Sequence, residues 1–252
     1  MAKIKIKDKS FWMTLVLALV IVALAGTAFI PTIAAKRNKA KAMAVSAVDC
    51  EAMRVLGCCN AYVAANRCST KLNGKIKARV MGIPYTQKLR GNRTVDGTKY
   101  TEVAESVSAL VKAAVKRERQ DGVYYVYQGT YKNKAFSYDS PQQLSRSSYV
   151  AKYGQPFTGV VKYNLDNTVL QAVKTGENTY KFTLDPNKST AYSRNEVKTV
   201  LGGKQYPQYN SVEFTLVTDG DRPVKVTCVE KFRIDKFGGT DCTAEYVESF
   251  IF

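Results

Sequence analysis

The chain has 252 residues, 45% of them hydrophobic, with a formal net charge of +17 and no histidine. That length suits one domain with an attached segment, and the apolar content is enough for a packed core. The missing histidine excludes Ser-His and Cys-His nucleophile pairs and His-containing zinc sites, so we expect a non-enzymatic protein with no cofactor and no metal.

The charge is unevenly placed. Residues 1–42 hold eight Lys/Arg and one Asp, and the other 210 hold thirty basic and twenty acidic groups. The second excess suits contact with lipid or an anionic envelope polymer, or plain solubility through net charge. Nucleic acid is not an expected partner. Residues 1–10 form a basic cytoplasmic tail. Phe11–Ile30 (FWMTLVLALVIVALAGTAFI) is 20 residues without a charge, long enough to cross a bilayer core and longer than the roughly 7–15 apolar residues of a cleaved signal. Residues 11–35 are therefore expected to anchor the chain by a single pass in the cell membrane, with the C-terminal domain extracytoplasmic. A signal peptide cut near Ala28 or Ala35 is the alternative. Trp12 sits where an indole favours the membrane edge.

Residues 36–70 read as a helical connector, because Val45, Val48, Ala52, Val55, Leu56, Cys59 and Val63 recur at helical spacing. At Lys71 the period changes to two. Leu72, Gly74, Ile76, Ala78 and Val80 alternate with polar residues, predicting a half-buried strand with Lys71, Lys75, Lys77 and Arg79 on its outer face. Those four cations are candidate contacts for an anionic surface. Strands are expected over 85–93 and 99–108, with turns at Gly91-Asn92 and Asp96-Gly97. Val107, Leu110, Val111, Ala114 and Val115 predict a helix to about Arg119. Strands resume at 123–127 and at 131–138 across Asn133, and 139–155 reads as a long loop. Further strands fit 157–164, 169–174, 179–184, 211–218, 224–234 and 240–250. Turns are expected at Asp166-Asn167, Gly176-Glu177, Asp219-Gly220 and Gly238-Gly239. Ser193 with Glu196 makes a capping box, and Gly202-Gly203 a stop, for a short helix at 194–201. The fold class is α+β and mainly antiparallel β. We expect a curved sheet or half-barrel of about ten strands over 71–252, with two or three helices, preceded by one transmembrane helix.

Six cysteines, Cys50, Cys58, Cys59, Cys68, Cys228 and Cys242, stand in a chain expected outside the cytosol. At least one disulfide is expected, with partly free, buried thiols as the alternative. A turn near Phe237 would set Cys228 opposite Tyr246 rather than Cys242, so a direct bridge between those two strands is not expected. The spacing in 50–68 is not a common zinc pattern. Val226-Thr227-Cys228 with Arg233 is faintly similar to a sortase but lacks the histidine such a cysteine needs. Type IV pilins place Gly and Glu where Ser10 and Leu15 stand here. Asp219-Gly220-Asp221 reads as a turn rather than a calcium loop. Tyr124, Tyr125, Tyr127, Tyr131 and Tyr138 crowd neighbouring strands, where aromatics either line a hydrophobic ligand cavity or pair across the sheet.

Gly82–Gln87 (GIPYTQ), Glu105–Lys112 (ESVSALVK), Thr179–Pro186 (TYKFTLDP) and the final hairpin follow a helix in one layout. That layout, over 70–252, resembles the curved half-barrel of the lipoprotein-carrier proteins and their LppX-like Gram-positive relatives. The resemblance implies a concave sheet face that accepts acyl chains or another amphiphile. The lipid-bearing cysteine is absent here, and no family residue transfers individually. The expected function is a non-enzymatic cell-envelope protein that binds a hydrophobic or anionic envelope component through its sheet. A surface interaction or structural module without a small-molecule cavity is the alternative.

Overall fold

The computed structural model describes residues 48–80, 82–108, 112–153, 156, 159–160, 169–186, 208–234 and 239–252. The expected tail and anchor over 1–35, the helix at 194–201 and most of the strand at 157–164 lie outside the described residues. No helix among the described residues is long and apolar enough to cross a membrane.

Helix α1 (Cys50–Ala65) starts where Asp49 caps it, its side chain accepting from the Glu51 backbone N–H at 2.9 Å. Its stop is marked by Asn66, whose backbone N–H and side-chain amide both donate to the Tyr62 carbonyl. Ala52, Val55, Cys59 and Val63 fall on one face and are buried.

Twelve strands follow. They are β1 (Cys68–Val80), β2 (Ile83–Asp96), β3 (Lys99–Val107), β4 (Lys112–Gln120), β5 (Val123–Lys132), β6 (Ala135–Tyr138), β7 (Gln142–Leu144), β8 (Val169–Gly176), β9 (Thr179–Leu184), β10 (Gln208–Asp219), β11 (Arg222–Ile234) and β12 (Thr240–Ile251). A second helix, α2 (Arg146–Tyr153), lies between β7 and β8. All belong to one antiparallel open sheet in the order β6-β5-β4-β3-β2-β1-β12-β11-β10-β9-β8, with β7 beside β5. Two meanders thus run outward from a central seam, where β1 pairs with β12 from Ser69↔Ile251 to Ala78↔Cys242.

Several expectations need correction. Residues 112–120 form a strand, not a helix. Apolar residues three and four apart satisfy either period when small ones intervene, and here the ladder to β3, from Tyr100↔Arg119 to Val107↔Lys112, takes the segment. Gly91-Asn92 is no turn: β2 runs straight through, and Gly91 lies between Leu72 and Ala104. A Cβ there would meet the Val103 carbonyl at 3.0 Å. Gly74 is tighter still, since its Cβ would meet that of Tyr246 at 2.5 Å, so at both places absence of a side chain lets neighbouring strands approach. The strand expected across Asn133 is a hairpin. Asn133 and Lys134 both have positive φ (51° and 64°), as a two-residue type I′ turn requires. The loop expected over 139–155 contains β7 and α2.

The sheet's inner face carries the core. Over its C-terminal half, α1 lies against β8 and β11, and its buried stripe joins one core cluster with Leu72, Ile76, Leu216, Val226, Cys228 and Phe232 among others. Phe182 and Phe214 stack within it at 4.6 Å. Each such fully buried large side chain contributes about 1.5–3 kcal/mol. A second, smaller cluster joins Tyr124 and Val126 of β5 to Tyr149 and Tyr153 of α2.

Candidate functional site

Antiparallel pairing carries one face across every strand, because directly paired residues share a side. The expected alternation in β1 holds. Lys71, Lys75, Lys77 and Arg79 are exposed on the outer face while Leu72, Ile76 and Ala78 are buried on the inner one. The ladder adds neighbours that sequence distance hides. Lys88 of β2 lies directly opposite Lys75, so like charges face each other, and Arg90 lies opposite Asn73. On the other side β12 supplies Glu245, which pairs with Lys75 at 3.4 Å and Lys77 at 3.3 Å. Partial burial works against its ionisation, but the ammonium groups of Lys77 and Lys75 outweigh that and hold the carboxyl below its usual range. Of two acids on β3, Glu105 shares the outer face, opposite Arg90. Glu102 instead points inward to Arg117, 3.4 Å away.

The topology turns a mild sequence asymmetry into a spatial one. Residues 68–144, which build β1–β7, hold fourteen Lys/Arg and six Asp/Glu, a net +8. The strands β8–β12 themselves hold six Lys/Arg and six Asp/Glu, a net charge of zero. Two lysines of the C-terminal half have acidic partners: Lys181 with Glu213 at 2.9 Å and Lys174 with Glu51 of α1 at 3.0 Å.

The five tyrosines do not form one cluster. Tyr124 is on the inner face, 3% exposed and stacked on Tyr149 of α2 at 4.4 Å, so it belongs to the core. Tyr125, Tyr127 and Tyr131 alternate with it onto the outer face, and Tyr138 joins them by pairing with Gly129. Lysines from the supposed helix lie over these rings. The Lys112 ammonium is 4.3 Å from the Tyr131 ring centre, and that of Lys116 is 4.7 Å from Tyr127. Tyr127 donates its hydroxyl to Glu118 at 2.7 Å, and Lys116 bridges the same carboxylate at 2.7 Å. That hydrogen bond, with partial burial and the carboxylate charge, pushes the Tyr127 phenol up to about 12. Burial and then the charge of Glu105 push Tyr138 up to about 12. Sequence reasoning missed Lys88, Arg90, Lys112 and Lys116. The segment 112–120 (KAAVKRERQ) does not alternate, so the sequence carried no clear signal for the last two.

Between the two apolar clusters the inner face is polar yet internally bonded. Glu248 accepts from the Thr70 hydroxyl at 2.6 Å and from Arg93 at 2.9 Å, and Arg93 also donates to the Gly159 carbonyl at 3.2 Å. Gln87 bonds to Ser106, and Tyr85 to Ser108 at 2.8 Å. The cavity here, lined by Thr70, Leu72, Arg93, Glu102, Ala104 and Glu248, measures about 10 Å³. That is room for about one water, against roughly 300 Å³ or more for a small-molecule site.

All six cysteines are free, so the expected disulfide is absent. The reason is register. Cys228 faces Tyr246, as the position of the hairpin turn predicted, while Cys242 faces Phe232 and Ala78, and Cys68 faces Val95. On α1, Cys59 is buried while Cys50 is exposed. Burial, with Asp221 and Cys58 nearby, pushes the Cys59 thiol up to about 12; burial and Asp241 do the same for Cys242.

No family model matches the chain, and no curated protein matches it. Among solved structures it is similar to a DUF1329 family protein from Desulfovibrio piger ATCC 29098, at 14% identity and a TM-score of 0.28, over 78% of this chain and 89% of that one. It is also similar to MucB, solved in complex with MucA(peri), at 11% identity and a TM-score of 0.13, over 80% and 94%. At such TM-scores function rests on this chain's own geometry.

Proposed function

We propose that this chain is a non-enzymatic envelope protein that binds an anionic component through the outer face of the N-terminal half of its sheet. One observation carries the proposal: net charge is +8 on β1–β7 and zero over β8–β12, and among the described residues Glu245 is the acid bonded to the outer row of β1, at Lys75 and Lys77. A row of cations held side by side costs self-repulsion that an external anion relieves. Among the described residues, Tyr124 is packed against α2 and the cavity beside Arg93 has room for about one water, which supports a surface reading of this half.

Binding of labelled polyphosphate to the full chain in neutral detergent tests this. Each basic group facing an anionic surface contributes roughly 1 kcal/mol, so changing Lys71, Lys75, Lys77 and Arg79 to Gln should weaken binding at least about tenfold. Lys174→Gln and Lys181→Gln, on paired residues of the other half, should leave it unchanged. Equal losses from both sets would overturn the proposed function.

A further inference from the structure

We infer that the anionic component is the bilayer itself, and that the domain lies on the membrane through the outer surface of β1–β5. The inference rests on the function proposed above and names the partner of that same face.

Three observations lead to it. The first is the layout of the charges. Lys71, Lys75, Lys77 and Arg79 run along β1, Lys88 and Arg90 along β2, and Lys112 lies over Tyr131 at the far side. From Lys71 to Arg79 is about 27 Å at strand rise, and from β1 to β5 is about 19 Å at four strand spacings. The cations are spread over several strands in two dimensions, with Glu105 and Glu245 set among them. A planar array of phosphates matches such a spread, whereas a single polymer strand would meet one row of it.

The second is the state of the tyrosines. A platform for sugars or bases needs free ring faces. Here Tyr131 and Tyr127 each carry an ammonium over the ring, and Tyr131 also meets Phe136 edge-on at 4.9 Å. These rings hold lysines in place, which lowers the ordering cost when the lysines meet anions. A ring with a polar tip beside a lysine is also the side-chain pair favoured at the headgroup level of a membrane.

The third is reach. The uncharged 20-residue segment Phe11–Ile30 ends 18 residues before Asp49, the N-cap of α1. Eighteen residues span at most about 65 Å. A chain tethered within that distance meets the bilayer at an effective concentration in the millimolar range, so even weak contacts at the face are occupied.

Lysine acylation of the full chain in nanodiscs, read by mass spectrometry, tests the inference. In phosphatidylglycerol discs Lys71, Lys75, Lys77, Lys88 and Lys112 should label several-fold more slowly than in phosphatidylcholine discs. Lys174 and Lys181, on β8 and β9, should label equally in both. Salt at 1 M should abolish the protection, because roughly 3 Å screening separates the charges from the lipid. Equal labelling of the five lysines in both lipids overturns the inference. A parallel arm adds soluble polyphosphate to phosphatidylcholine discs. If polyphosphate protects those lysines while phosphatidylglycerol does not, the anion-binding function stands and the bilayer is the wrong partner. If neither protects, both fail.

Discussion

Arg93 and Glu248 are each 4% exposed and lie 2.9 Å apart, on β2 and β12 with β1 between them. Coulomb attraction in so dry a place is large, but so is the cost of removing both ions from water. Replacing Glu248 by Leu should therefore cost more than the net value of the pair. It takes the Glu248 carboxylate from a buried guanidinium that keeps the Gly159 carbonyl and lies opposite Glu102, and it removes the acceptor of the Thr70 hydroxyl. Breaking one side of such a pair costs about 3–5 kcal/mol, a large part of the roughly 5–15 kcal/mol that holds a domain together. The double change Arg93→Met with Glu248→Leu removes both ions and fills the space with apolar atoms, so it should be much milder than the sum of the singles. Urea unfolding of the four proteins measures the cycle. With a slope of about 2–3 kcal/mol per molar, each single variant should lower the midpoint by at least about 1 M, and the double variant should recover most of that. Single variants costing under about 1 kcal/mol each, with additive effects, would show a hydrated pair and refute the reasoning.

Two further outcomes follow from the packing. In the native protein a thiol reagent at neutral pH should modify Cys50 and Cys58 and spare Cys59, Cys68, Cys228 and Cys242, which burial shields and, for Cys59 and Cys242, pushes up to about 12. Six equally fast thiols would contradict the assigned burial. Glu118→Gln should lower the Tyr127 phenol from about 12 toward the ordinary tyrosine range, seen as an earlier ultraviolet transition on raising pH. The sign is that of a raised acid: the contribution to stability is complete below the unfolded-state value and is lost as pH climbs through about 12. An unchanged titration in the variant would remove Glu118 as the cause.

What the sequence determined by itself was local. The stripe Ala52, Val55, Cys59, Val63 specifies α1, since spacing is a property of one short segment. Alternation from Lys71 to Arg79 specified which side of β1 is wet, and the length of the last hairpin set Cys228 opposite Tyr246. Tertiary structure decided the rest. Residues 112–120 carry a pattern compatible with either period, and only the β3 ladder makes them a strand. That choice put Lys112 and Lys116 over Tyr131 and Tyr127, and sent Arg117 inward to Glu102. The pairing of β1 with β12 closes a separation of 168 residues to set Glu245 beside Lys77. It also turns the two meanders outward in opposite directions, leaving the basic half of the chain on one side of the seam and the neutral half on the other. Periodicity is written in backbone geometry, residue by residue. Which strands become neighbours is set by burial of the inner face of the whole sheet, a sum no single segment contains.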